Sequence, residues 1–259
     1  ARLSSAQSRS DRYSGEPMRS RAIDGAEFVW NGVLDPTQYN DGALAVRHQL
    51  ADAAKAGDWP LVLRLLDKPG TPLTANDWRP GGTAWFTPLH QAAWHGAPTS
   101  VAEELVARGA LRSLTDSRGR TALDVRTERN SAEFASKGAG ADSHMSLRAV
   151  LAPPASPLSP ARIRAFDDHL ARLIESRVSG VLYGGRDPQA VLRYPPVAIM
   201  HETPARRLWF PVPGMYGGFD IQLRDGYLEV ASWCRVVGGS GERHVITEDG
   251  TTLVEEGFV

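Results

Sequence analysis

The chain has 259 residues, 42% of them hydrophobic and 23% charged, with a formal net charge of −1. It has room for two modest globular domains, and balanced charge without a basic stripe argues against nucleic acid as the main ligand. No run approaches the roughly 18 apolar residues of a membrane span, and the single cysteine, Cys234, excludes an internal disulfide framework and fits a reducing, cytoplasmic setting.

The first residues, Ala1 to Arg21, are rich in Ser and Arg and hold no apolar segment, which argues against a secretory signal and predicts a flexible segment over residues 1–30. Leu50-Ala51-Asp52-Ala53-Ala54-Lys55-Ala56-Gly57 then reads as a helix with a glycine stop. Leu61, Val62, Leu65 and Leu66 follow at helical spacing after Asp58-Trp59-Pro60. The connection from Pro69 to Ala84 carries Pro72, Pro80, Gly81 and Gly82, and predicts an elongated loop. At Thr87-Pro88 a hydroxyl suits a helix cap and proline suits the first helical position. Leu89, Ala92 and Ala93 form the apolar face, and Gly96 ends the helix where a left-handed residue is needed. A second helix is predicted through Val101, Leu105 and Val106, ending at Arg108-Gly109-Ala110. The pattern starts again at Asp116-Ser117-Arg118-Gly119-Arg120-Thr121-Ala122-Leu123-Asp124. It is expected to dissolve after Glu128-Arg129-Asn130 into Ala135 to Ala141, with Met145 to Leu151 as a closing helix.

The run Thr87-Pro88-Leu89-His90-Gln91-Ala92-Ala93-Trp94-His95-Gly96 resembles the ankyrin repeat, whose signature is Thr-Pro-Leu-His-x-Ala-Ala-x-x-Gly and whose period is about 33 residues. Leu50 precedes Leu89 by 39 residues and Leu123 follows it by 34. The first unit lacks the signature and reads as a cap; the third has Asp124 in place of the histidine and reads as a half-repeat. With its blocks Trp209 to Phe219 and Ser232 to Gly241, most of the chain is also similar to a group of bacterial ankyrin-repeat proteins of unassigned function. The resemblance implies a binding platform with a concave face built from the loops and the first helices. Carried over by position, that face comprises Gln91, Trp94 and His95 on the helix, Trp78, Arg79, Trp85 and Phe86 on the long loop, and Arg118 and Arg120 on the next. The alternative for Trp78 and Trp85 is that they pack inward and cover the gap left by the longer loop. The signature histidine, His90, is expected to brace its turn through backbone hydrogen bonds and not to ligate a metal.

Pro153, Pro154, Pro157 and Pro160 mark a linker over residues 152–160. Ile163, Phe166, Leu170, Leu173, Ile174 and Val178 then form the apolar stripe of one helix. Strands are predicted at Val191–Tyr194, Val197–Met200 and Arg207–Phe210. Phe219–Leu223 and Tyr227–Val230 alternate strictly around Asp225-Gly226, a strong hairpin signal. Trp233–Val237, His244–Thr247 and Leu253-Val254 complete the set. The expected architecture is a short ankyrin-repeat helical array over residues 31–151, followed by a small, mainly antiparallel α+β domain over residues 161–259.

Catalytic signals are sparse. Gly238-Gly239-Ser240-Gly241-Glu242-Arg243-His244 reads as a hairpin loop and not a phosphate loop, because it joins strand to strand. The Pro211 to Gly218 segment reads as a crossover in which glycines let neighbouring backbones approach, with a pocket lip as the alternative. Such a pocket would gather Tyr216, Trp233, Cys234, Arg235 and His244, with His244 facing Cys234 if the strand register allows. No metal spacing and no cofactor motif is present. The expected function is therefore non-enzymatic binding of a protein partner, with no nucleic acid and no membrane. The alternatives are an enzyme or small-ligand binder using the C-terminal pocket, and an immunity- or antitoxin-type binding protein.

Overall fold

The starts of the first three helices are set by local side-chain chemistry. A computed structural model describes residues 28–137, 142–178, 180–234 and 240–257. Helix α1 (Asp41–Ala56) starts at Asn40, whose side chain accepts from the Ala43 N–H, and stops at Gly57 with φ 75°. Helix α2 (Trp59–Leu66) is capped by Asp58, which accepts from the Leu61 N–H. Helix α3 (Pro88–His95) begins with a reciprocal capping box between Thr87 and His90 and ends at Gly96, φ 60°. Both glycines hold left-handed backbone that a side chain would strain. Helix α4 (Thr99–Ala107) completes the second pair, and α5 (Ala122–Lys137) with α6 (Asp142–Leu151) forms the third.

The three pairs stack side by side. Helices α1, α3 and α5 form one row, and α2, α4 and α6 the other. The shared core holds Leu50, Leu89, Leu105, Val125 and Leu151, with Ala53, Ala54, Ala92, Ala93 and Ala122 where the first helices meet. Alanine at those contacts lets helix axes approach closely, as the spacing of small residues predicts. The third pair corrects one expectation, because α5 does not dissolve after Asn130 but runs on to Lys137. No glycine or proline interrupts residues 122–137, so nothing supplies a stop. The rest of the predicted unravelling, residues 138–141, lies outside the described residues.

The C-terminal half is one helix on one sheet. Helix α7 (Pro160–Arg177), capped by Ser159, buries Phe166, Leu170, Leu173 and Ile174. Strands β1 (Arg207–Val212), β2 (Gly217–Leu223), β3 (Leu228–Cys234), β4 (Ser240–Ile246) and β5 (Thr251–Glu256) form an antiparallel sheet in sequential order. The turn at Asp225-Gly226 has Gly226 at φ 99°. Two predicted strands are absent. Val191 closes a short helix α8 (Pro188–Val191) begun by Asp187 and Pro188, and Val197–Glu202 curls into a 3-10 helix. Pro195 and Pro196 remove two consecutive N–H donors just where a ladder would need them. The chain as a whole is of mixed α+β class.

The junction between the halves departs most from expectation. Residues 28–30 run along the sheet, Val33 and Leu34 pair with residues 191 and 192, and Tyr39 lies beneath Arg47 of α1. The Trp30 N–H donates to Trp209 O at 2.8 Å and the Trp209 N–H to Phe28 O at 2.8 Å, so the segment runs parallel along the edge of β1. Trp30 is buried with Trp78, Leu111 and Leu114 in the same core as Phe210, Phe219 and Val230. At the centre of this joint sits Arg193, 8% exposed. Its guanidinium lies 4.8 Å from the Trp85 ring centroid, 5.1 Å from Trp78 and 5.6 Å from Trp30. Nη2 donates to Thr115 O at 2.7 Å, and the Trp30 Nε1–H donates to Arg193 O at 2.8 Å. Burial pulls the guanidinium down to about 10, so it remains a cation at neutral pH. A second tie is Glu202, whose carboxylate accepts from the backbone N–H groups of Ser113 at 2.7 Å and Arg112 at 3.2 Å. Arg193→Ala removes the ring contacts, strands Thr115 O and opens a void, and is expected to lower unfolding free energy by about 2–4 kcal/mol in urea denaturation followed by fluorescence.

Candidate functional site

Two loops and the row of first helices enclose a groove of about 560 Å³, lined by Lys55 of α1, Phe86, Gln91, Trp94 and His95, and by Thr83, Ala84 and residues Asp116, Ser117, Arg118 and Arg120. The long loop is stitched at its base before it reaches the groove. Asn76 Nδ2 donates to Gly109 O at 2.8 Å while its Oδ1 accepts from the Leu111 N–H at 2.9 Å. Asp77 accepts from the Thr74 N–H and faces buried Arg47, and burial pushes its carboxyl upward. The next loop closes around Asp116, which accepts from the N–H groups of Arg118 and Arg120 and from the Arg120 guanidinium. Burial would raise the Asp116 carboxyl, but those donors outweigh it and hold the group below the usual range.

The floor is an aromatic relay. Phe86 stacks on His90 with centroids 5.5 Å apart and meets Trp94 edge-on at 6.3 Å. The Arg120 guanidinium lies 5.8 Å from the Phe86 centroid, and that of Arg129 lies 4.3 Å from Trp94. His90 holds the relay in place. Its Nδ1 accepts from the Thr87 N–H at 3.4 Å and faces Thr87 Oγ1 at 2.8 Å, leaving Nε2–H to donate to Arg120 O at 3.2 Å in the next unit. That bond assigns the tautomer.

The predicted face is assembled in part. Phe86, Gln91, Trp94, His95, Arg118 and Arg120 line the groove, and Arg79 lies on its continuation, paired with Asp52. His95 Nε2 lies 3.0 Å from Lys55 O, as a donor to it. Trp78 is a correction: it is 5% exposed, tilted at 52° against Trp30 with centroids 5.7 Å apart, and faces the sheet. Trp85 is half-buried and turned toward Arg193 by a left-handed backbone, φ 54°, although it also borders the adjoining hollow. Lys55, Thr83, Asp116 and Arg129 were not singled out by sequence. Lys55 was within reach, since it follows Leu50 by the same five residues that separate Trp94 from Leu89.

Among the described residues, the members of the alternative pocket are not brought together. Trp233 pairs with Gly241 and stacks on Trp209 at 4.7 Å on the face of the sheet away from α7. Cys234 and His244 occupy the other face, and their partners across the ladder are Ser240 and Val230. Four residues of strand, about 13 Å, separate them. Cys234 Sγ donates to Met215 O at 3.3 Å. Tyr216 is 55% exposed in the β1–β2 turn. Arg235 lies outside the described residues, as do Gly238 and Gly239. His244 instead borders an open trough of about 490 Å³ with His169, Arg172, Leu173, Ser176 and Leu253. Among the described residues no group of three or more His, Cys, Asp or Glu side chains is arranged to hold a metal ion, and no helix is long and apolar enough to cross a membrane. No protein-family model matches the chain, and no curated protein matches its sequence.

His90 makes the site's integrity depend on pH. Burial pulls its imidazole down to about 4, so the folded chain keeps it neutral while the unfolded chain protonates it near pH 6.5. The stability this withholds is present above pH 6.5 and is lost as pH falls toward 4. Glutamine at this position preserves a capping box without titrating. Relative to His90→Gln, the native chain is expected to lose about 2–3 kcal/mol between pH 6.5 and 4, read from urea midpoints.

Proposed function

We propose that the three helix pairs are a short ankyrin-type array and that the chain is a non-enzymatic interaction protein which docks a protein partner in the groove. One observation carries this reading: an aromatic floor of Phe86 and Trp94 lies open between two stitched loops, and no described segment of the chain fills it. Trp94 is 40% exposed at its centre. A large, pre-positioned ring beside arginine is the usual make-up of a binding hot spot. The Thr87–Gly96 run, its capping box and the bond from His90 to the next unit support the ankyrin assignment. The lone cysteine supports a cytoplasmic setting. The dispersal of Trp233, Cys234 and His244 over two sheet faces leaves the enzyme alternative without a converging set of groups.

Partners captured from native cell extract by the full chain are to be compared with those captured by Trp94→Ala, and the affinity of the differing partner then measured by calorimetry. Trp94→Ala is expected to weaken that complex about 10- to 100-fold with an unchanged melting temperature. Equal affinity for both proteins would remove the groove as the docking site.

A further inference from the structure

The groove has a charge asymmetry that narrows the chemistry of its occupant. Every carboxylate along it is already engaged. Asp116 is taken up by Arg120 and by two backbone N–H groups, Glu128 by Arg120, Asp52 by Arg79, and Asp77 by Arg47 and the Thr74 N–H. Two nearby carbonyls are also in use, since Lys55 O faces His95 Nε2 and Ala84 O accepts from the Ser117 N–H. The cations are not matched in this way. Lys55 on one wall and Arg118 on the other are exposed, and among the described residues neither cationic head makes a hydrogen bond or an ion pair. The Gln91 amide and the Trp94 indole N–H are likewise without a hydrogen-bond partner. The groove therefore presents two unmatched cations and the Trp94 N–H to an occupant, with no unmatched carboxylate beside them and with Gln91 able to donate or accept.

Resting on the reading of this groove as a docking face, we propose that its occupant is an acidic, extended segment of a partner protein, whose carboxylates divide between Lys55 and Arg118 while its backbone or an apolar side chain lies over Trp94. Two opposed cations with donors between them complement spaced carboxylates. They are too few to neutralise a run of phosphates, and a nucleic-acid surface needs a broader basic stripe. Complementarity of this kind contributes chiefly to specificity and to the rate of encounter, and is screened by salt.

The test uses immobilised peptides of about twelve residues, degenerate except for a pair of glutamates at varied spacing, probed with the full chain beside arrays carrying glutamine or lysine at the same positions. A single-stranded oligonucleotide serves as the polyanion control. Glutamate peptides are expected to retain the protein at least about fivefold better than glutamine peptides, with the preference gone at roughly 0.5 M salt. The double reversal Lys55→Glu/Arg118→Glu alters only exposed positions and is expected to transfer the preference to lysine peptides. Equal retention on glutamate and glutamine, or retention on the oligonucleotide alone, overturns the acidic-segment proposal. If such peptides still distinguish the native chain from Trp94→Ala, the docking face itself survives. Equal retention of those two proteins on every array overturns both.

Discussion

One buried cation stands at the centre of the contacts that hold the two halves of this protein in register. Arg193 stands among Trp30, Trp78 and Trp85, from the N-terminal segment and the long loop, and reaches Thr115 O in the next loop. Taking an unpaired guanidinium out of water costs several kcal/mol, and no one ring contact offsets that, since each contributes about 0.5–2 kcal/mol. The joint is favourable only with all three indoles and the carbonyl in place. It therefore behaves as one cooperative contact, and four segments distant in sequence order together.

The groove inherits its shape from that joint. Its walls are the loops that Arg193 and Glu202 hold from behind: Trp85 anchors the long loop, Thr115 adjoins Asp116, and Glu202 fixes the backbone at Arg112 and Ser113. Asn76 and Asp77 pin the base of the long loop to the second helix pair and to Arg47. A surface so tied has little conformational freedom left to lose, which is where pre-formed sites gain affinity. The sheet domain thus acts on the helices as a buttress, with its own chemistry-bearing residues spread over both of its faces.

What could be read from sequence was what local chemistry decides. Thr87, Pro88 and Gly96 mark the ends of α3 without help from distant contacts, and the alternation around Asp225-Gly226 declares the β2–β3 hairpin. The illegible parts depend on partners far along the chain. Val191 and Val197 have strand composition, but the prolines between them deny a ladder. Trp78 and Trp85 share one loop with Phe86, and nothing in their composition says that the tryptophans turn toward a helix and sheet more than a hundred residues later. Arg193 carried no motif, because its role is defined by rings drawn from residues 30 to 85. The Cys234–His244 question was one of register, and register is set by the whole β3–β4 ladder.

Adjacent aromatic residues in the long loop serve opposite sides of the molecule: Trp85 is committed to the sheet and Phe86 to the groove. A backbone held at φ 54° at Trp85 performs the reversal between them. The loop tip at Gly81-Gly82-Thr83 is held as well: the Gly81 N–H donates to Leu34 O at 2.9 Å with Gly81 at φ 72°, and Thr83 lines the groove. Homologous chains should therefore keep glycine at position 81 and the order of the two rings that follow it.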